Sequence, residues 1–332
     1  MPEGDWNAGD VLADRYCLRR ELGEGAAGVV WLARDARLDI DVAVKILRAG
    51  VAARGGAKER FASEGELSER MLSPNIVKVL ARGIVGCGVP YIVYEHLDGQ
   101  DLATRLSRGL LAFSELKMVV VHACRALARA HAVGVLHRDV KPENLFVTTD
   151  VDGRPLVKML DFGVAELVAR SEHGDQLVGT LEYIAPEVLL ADRTPDARSD
   201  LYALGAVAYE CCTGHVPFVG ATLGELLLAH ATKEVPPPST QRPGVGPEID
   251  AWFGKALAKE RDERFSTAKE MAEALHAAVK ANELRTSDIK MLTSSVRPRM
   301  PSFSFEESGR ESVSDVYAII HPREPKPGKP SS

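Results

Sequence analysis

Between Asp14 and His96 the apolar positions fall in short runs that alternate with polar residues. CLRREL (17–22), VVWLARD (29–35), VAVKIL (42–47), IVKVLARGI (76–84) and VPYIVYE (89–95) are rich in β-branched and aromatic residues. Glycines or acidic turns separate them, a pattern that predicts five strands. One stretch breaks the series: KERFASEGELSERML (58–72) has apolar residues at helical spacing. At 100° per residue Phe61, Glu64, Met71 and Leu72 share its inward face, while Glu66 points away.

Past Asp101 the period lengthens. SELKMVVVHACRALARAHA (114–132) carries apolar residues three and four apart, with Ser114 placed as its N-cap. DARSDLYALGAVAYECC (196–212) is apolar nearly all round and predicts a buried helix. Further helices are expected near 222–231, 248–259 and 266–280. From about Thr286 the apolar period fades into Ser, Pro and mixed charge, the composition of a disordered tail. The pattern therefore predicts an α+β chain in two parts: an N-terminal extension (1–15), a strand-rich lobe (16–96), a helical lobe (97–283) and a Ser/Pro-rich tail (284–332).

Composition narrows this picture only slightly. The 332 residues are 45% hydrophobic and 27% charged, with a net charge of −6. That balance fits a globular protein and lacks the basic footprint of a nucleic-acid binder. No apolar run approaches the roughly 20 residues that span a bilayer, and the acidic N-terminus lacks the apolar core of a signal peptide. None of the five cysteines stands in a C-x-x-C pair, so reduced, buried thiols are expected in a cytoplasmic protein.

Four short motifs change the picture more. Gly23-Glu24-Gly25-Ala26-Ala27-Gly28-Val29-Val30 fits G-x-G-x-x-G-x-V, a spacing that roughly one such chain in five would hold by chance. It lies between two strands, which disfavours a dinucleotide fold and leaves either a plain hairpin or a loop folded over phosphates. Lys45 stands in an otherwise apolar strand and either reaches solvent at the strand end or needs an anionic partner. Glu64, on the inward helix face, is the carboxylate placed to meet it. His137-Arg138-Asp139-Val140-Lys141-Pro142-Glu143-Asn144 fits H-R-D-x-K-x-x-N, expected by chance in roughly one chain in ten thousand. It occupies a loop between a helix and a strand, where reactive groups tend to sit. Asp161-Phe162-Gly163 follows the next strand, so Asn144 and Asp161 offer oxygen donors on neighbouring loops, suited to a hard cation such as Mg²⁺.

In this order the motifs resemble the protein kinase superfamily, most closely the bacterial, eukaryotic-like (Hanks-type) Ser/Thr kinases. The resemblance runs from about Tyr16 to Val279. It includes Gly179-Thr180, Ala185-Pro186-Glu187, Asp200-Leu201-Tyr202-Ala203-Leu204-Gly205 and Arg264. It implies a bilobal fold, with an N-terminal antiparallel sheet lobe carrying one helix and a larger helical C-terminal lobe.

It also implies roles. Asp139 would be the catalytic base and Lys141 would neutralise the transferring phosphoryl group. Lys45, held by Glu64, would grip the α- and β-phosphates of ATP, and Asn144 and Asp161 would hold Mg²⁺. Gly23, Glu24, Gly25 and Gly28 would cover the phosphates. Val30 and Ala43 would sandwich the adenine, the backbone at Glu95 and Leu97 would bond it, and Tyr94 would be the gatekeeper. Glu187 would pair with Arg264, and Asp200 would hold the catalytic-loop backbone. Lys141 and Thr180 point to Ser/Thr protein acceptors. A nucleotide-binding pseudokinase scaffold and a small-molecule phosphotransferase are the competing readings, the second disfavoured by Lys141, Ala185-Pro186-Glu187 and Arg264.

Two features bear on regulation. Between Asp161 and Gly179 the only hydroxyl residue is Ser171, and Asp175 lies near Gly179. This stretch is therefore expected to order without phosphorylation, or by a partner, with Arg138 as the phosphate receiver in relatives that use one; Ser171 is the candidate autophosphorylation site there if one is used. In the tail, Arg297-Pro298-Arg299-Met300-Pro301-Ser302 has the form R-x-R-x-x-S. With Glu143 in a position that often meets substrate arginines, it suggests autophosphorylation at Ser302 or is a chance cluster.

Overall fold

The computed structural model describes residues 6–25, 28–48, 71–85, 88–162, 181–189 and 194–295. Met1–Asp288 forms one compact unit; of the second, Ile289–Ser332, only the end of a helix is described. Glu64, Gly163, Ser171, Asp175, Thr180 and Ser302 lie outside the described residues.

Six strands form an antiparallel sheet: β1 (Val11–Leu12), β2 (Tyr16–Glu24), β3 (Gly28–Asp35), β4 (Ile40–Leu47), β5 (Val79–Ile84) and β6 (Pro90–Glu95), in the order β1-β2-β3-β4-β6-β5. The alternation in β3 places Trp31 and Ala33 on one face, where Tyr16, Leu18, Val42 and Val44 join them. The other face of β4 and β6 carries Leu47, Ile92 and Tyr94 over Val77. Strand β6 is covered on both sides, which explains its unbroken apolar run. The five predicted strands are all present, with one change. In IVKVLARGI only residues from Val79 onward join this sheet; Ile76 makes a parallel bridge to Met159 in the helical lobe.

A second, three-stranded sheet is built from β7 (Gln100–Asp101), β8 (Leu145–Thr149) and β9 (Pro155–Met159). It lies against the helix α2 (Phe113–Ala132), which follows α1 (Leu102–Leu106). Beyond come α3 (Pro186–Leu189), α4 (Ala197–Thr213), α5 (Leu223–Thr232), α6 (Pro247–Ala256) and α7 (Ala268–Ser295). The apolar helix is α4: from Ser199 to Thr213 every residue but Glu210 is buried. Asp196 caps it by accepting the Arg198 N–H, and Gly214 ends it at φ +81°, a conformation glycine adopts without strain.

Three sequence expectations are corrected. Helix α2 begins at Phe113, so Ser114 stands inside the first turn and Ala112 occupies the cap position without a side-chain bond. The Phe113 ring lies 4.2 Å under the Arg242 guanidinium, a tertiary contact that outweighs the capping preference of serine. Leu72 is 72% exposed while Met71 is buried: both stand in irregular chain, where the projected helical face does not apply, and the rest of the expected helix (58–70) lies outside the described residues. The last helix continues through Ser295, past the end expected at Lys280. Glu283, Leu284 and Arg285 are good helix formers that carry it on after the apolar stripe has faded. Residues 296–332 lie outside the described residues.

Candidate active site

The loop His137–Asn144 is held from below by a buried carboxylate. Asp200, in the first turn of α4, accepts the N–H of His137 (2.9 Å) and of Arg138 (2.8 Å), and meets His131 Nε2 at 2.8 Å. Arg138 has φ +66° and Asp161 φ +52°. The left-handed region is costly for side-chain-bearing residues and is held only where surrounding bonds fix it. The His137 ring bonds the Leu160 carbonyl at 2.8 Å and packs 4.6 Å from the Phe162 ring. The loop and the residues around Asp161 are thereby tied together.

Within the loop, Lys141 Nζ lies 2.8 Å from Asp139 Oδ2. Asn144 Nδ2 donates to the Asp139 carbonyl (2.7 Å) and to Oδ2 (3.0 Å). Asp139 Oδ1 is buried and has no hydrogen-bond partner among the described residues. A short 3₁₀ turn over Pro142–Asn144 passes the chain into β8, and Leu160 N–H donates to the Asn144 carbonyl at 2.9 Å. Asn144 therefore stands beside the residue that precedes Asp161. Its amide nitrogen is committed, which turns the amide oxygen the other way.

From the sheet lobe comes Lys45, buried on β4 opposite Val30 on β3 and Ile92 on β6. Its Nζ lies 2.8 Å from Asp161 Oδ1. The predicted partner Glu64 lies outside the described residues; the ammonium does reach across to the helical lobe. Ala43 and Val30 are half-buried, and Tyr94 packs among Leu47, Val77 and Ile92 at the end of β6. Glu95 ends β6 and Leu97 lies in the link to β7.

The glycine motif closes the β2–β3 hairpin, with Gly23 opposite Val30 and Glu24 opposite Val29. Gly25 N–H donates to the Gly28 carbonyl at 2.9 Å, and Glu24 pairs with Arg48. Among the described residues a Cβ at Gly23 would meet no atom within 4 Å, whereas one at Gly28 would sit 2.1 Å from the Ile46 carbonyl oxygen. Gly28 is thus required by the approach of β4. At Gly23 no neighbour among the described residues demands glycine, which leaves room for a ligand to approach the backbone.

Deeper in the helical lobe, Arg264 forks onto Glu187 through Nη1 (2.8 Å) and Nη2 (2.9 Å), and Ser199 Oγ adds a third bond at 2.7 Å. Burial works to raise the Glu187 pKa, but these donors outweigh it and hold it below the usual carboxylate value. A cavity of about 480 Å³ opens beside the loop, lined by Glu143, Tyr183, Glu210, Leu106 and Leu110. Tyr183 Oη donates to Glu210 Oε2 at 2.8 Å. Burial and the neighbouring carboxylates raise the pKa of Glu210 and Glu182. Of this group the sequence singled out only Glu143. Glu210 was one more residue of a buried helix, with no local signal that it opens into a cavity.

Residues 16–277 match the family model for the protein kinase domain. The chain belongs to the protein kinase family. The kinase is 39% identical over 267 residues to a serine/threonine-protein kinase, PknB, of Mycobacterium leprae, covering 78% of this chain and 42% of that protein. It is 36% identical over 302 residues to the serine/threonine-protein kinase Pkn1 of Myxococcus xanthus, covering 88% of this chain and 43% of that one. The kinase thus spans less than half the length of these curated relatives. Among solved structures, the Mycobacterium tuberculosis PknI kinase domain superposes with a TM-score of 0.66 at 29% identity, covering 83% of this chain and all of that domain. The expected bilobal fold is the one present. The Glu187–Arg264 pair and the Asp200 anchor are formed as the resemblance implied.

Proposed function

We propose that this kinase transfers the γ-phosphoryl group of Mg·ATP to serine and threonine hydroxyls of proteins, in bacterial signalling. The observation that carries the reading is the Asp139 carboxylate. Oδ2 is taken up by Lys141 and Asn144, while Oδ1 is buried without a partner among the described residues. A buried acceptor left unmatched is costly. An acceptor hydroxyl donating to Oδ1 would satisfy it, and that is the bond a general base makes before taking the proton.

Lys141, 2.8 Å from the same carboxylate, lies where negative charge gathers as phosphoryl passes to that hydroxyl. Lys45 supplies a buried ammonium for the α- and β-phosphates, with Glu64 as its further support. Gly23, Glu24, Gly25 and Gly28 form the loop over the phosphates. Val30 and Ala43 flank the adenine, and the backbone of Glu95 and Leu97 bonds its edge. Asn144 and Asp161 offer an amide and a carboxylate oxygen from chain segments joined by the Leu160 N–H bond to the Asn144 carbonyl, and the Asp161 side chain is 36% exposed, a donor set that fits a hard cation. Bound there, magnesium would neutralise charge on the phosphate oxygens.

The cavity beside Glu143 supports a finer reading of the acceptor. Two carboxylates face an aliphatic wall of Leu106 and Leu110, a setting that suits the stem and head of an arginine. Proteins with arginine before the acceptor are the proposed substrates, and Ser302, behind Arg297 and Arg299, is the proposed autophosphorylation site. Among the described residues no helix is long and apolar enough to cross a membrane. Use of ATP and the buried thiols of Cys124, Cys211 and Cys212 support a cytoplasmic location.

Incubation with labelled Mg·ATP and a generic basic protein, followed by phosphoamino-acid analysis, tests the reading. Phosphoserine and phosphothreonine are expected. Label confined to tyrosine, or to small molecules, would overturn it. A peptide of residues 295–306 should lose about tenfold in kcat/KM when Arg297 and Arg299 are both alanine; an unchanged value would remove the arginine preference.

A further inference from the structure

The end of β6 is pinned to β9 by one ion pair that crosses between the lobes. Lys158 Nζ lies 2.6 Å from Glu95 Oε1, with only 13% and 28% of the two side chains exposed. The same Oε1 accepts the Lys78 N–H at 2.8 Å, and Glu95 N–H donates to the Lys78 carbonyl at 3.0 Å. Glu95 is therefore fixed through both its backbone and its side chain. The segment on its other side is fixed to β9 as well. Met159 N–H donates to the Asn75 carbonyl (2.8 Å), Val77 N–H to the Met159 carbonyl (3.0 Å), and Asn75 Nδ2 to the Val157 carbonyl (2.9 Å).

Lys158 itself stands on β9 opposite Phe146, and Asp161 follows three residues later. One lysine thus joins the strand that delivers Asp161 to the residue that begins the link between lobes. Exposed pairs of this type contribute little. This one is mostly desolvated, short, and shares its oxygen with a backbone donor, the conditions under which a charge-assisted bond fixes geometry.

We infer that Lys158 is a positioning residue for nucleotide binding: it holds the Glu95 side chain so that the backbone from Glu95 to Leu97 is preset for the adenine edge. The inference rests on the reading of this cleft as the ATP site. A link fixed before the nucleotide arrives costs less to order on binding. Loss of the pair should weaken nucleotide binding and leave the transfer step alone, since Lys158 is not among the groups placed around Asp139.

Calorimetric titration of the full chain with Mg·ADP, paired with steady-state kinetics in ATP, provides the test. Lys158→Met should weaken Mg·ADP about tenfold and raise the KM for ATP to match, with kcat within about twofold of wild type. Glu95→Gln, which keeps the side-chain shape, should act in the same direction and serves if Lys158→Met does not fold. The double variant Glu95→Gln/Lys158→Met should bind no more than about twofold more weakly than Lys158→Met alone, because both changes remove the same contact. If wild type binds Mg·ADP and both single variants bind it equally well, the positioning role is wrong while the site stands. A drop in melting temperature with unchanged affinity would reduce the pair to a structural one and overturn the inference. Failure of wild type to bind Mg·ADP at all would overturn the site and this inference together.

Discussion

Replacing Asp200 by asparagine changes one oxygen to an NH₂ and leaves the shape almost untouched. The carboxylate accepts from His137 N–H, Arg138 N–H and His131 Nε2 at 2.8–2.9 Å, and is 2% exposed. An amide has one acceptor oxygen, so at least one of the two loop N–H groups must face an N–H of the new side chain. A hydrogen bond to a charged group contributes about 1.5–3 kcal/mol, and an orphaned buried donor costs about 1–3 kcal/mol. The two overlap, so a loss of about 3 kcal/mol is expected. With a urea m-value of about 3 kcal/mol/M, the unfolding midpoint should fall by about 1 M. Fluorescence of the buried Trp252, whose indole N–H bonds the Met271 carbonyl, reports on this lobe. Under native conditions phosphoryl transfer should fall about 10- to 100-fold, because the displaced loop carries Asp139. A midpoint within about 0.2 M of wild type together with an unchanged rate would refute the anchoring role.

Two further outcomes concern the helical lobe. Arg264→Ala leaves the buried Glu187 carboxylate without its fork and should cost about 3–5 kcal/mol; the double variant Glu187→Met/Arg264→Met should cost far less than the summed single changes, and additivity in urea melts would contradict the pair. His230 is buried with Nδ1 3.0 Å from Tyr202 Oη. Burial, aided by the nearby Lys259 ammonium, pushes its pKa down to about 4. Between that value and the unfolded value near 6.5 the unfolded chain binds more protons, so stability should rise with pH across this window by roughly 3 kcal/mol and level off above it. Stability measured by urea at pH 4.5 and 6.5 should show this rise in wild type and lose most of it in His230→Gln; equal slopes would disprove the assignment.

Much of this was legible in the residues alone. Alternation in β3 and the unbroken run of β6 report half-buried and fully buried strands, and the all-round apolar α4 had to be central. The spacing from His137 to Asn144 predicted a loop whose atoms now meet at 2.7–3.0 Å around Asp139. What escaped the sequence depends on partners distant along the chain. Ser114 lost the cap position in a helix whose first residue contacts Arg242, and Leu72 is exposed in irregular chain rather than on a helical face. Gly28 matched a phosphate-loop motif, yet the Ile46 carbonyl is what excludes a side chain there. Glu210 and Lys158 carry no local mark; only folding brings them to Tyr183 and Glu95.

The central claim is that Asp139 accepts the proton of a protein hydroxyl. Single-turnover transfer from labelled Mg·ATP to a generic protein substrate, with the full chain and its Asp139→Asn variant at matched nucleotide occupancy, tests it most directly. General-base catalysis contributes about 10²–10⁴ in rate. A loss of at least about 100-fold in the variant, with nucleotide affinity retained, is the predicted result. Equal rates in the two proteins would contradict the account.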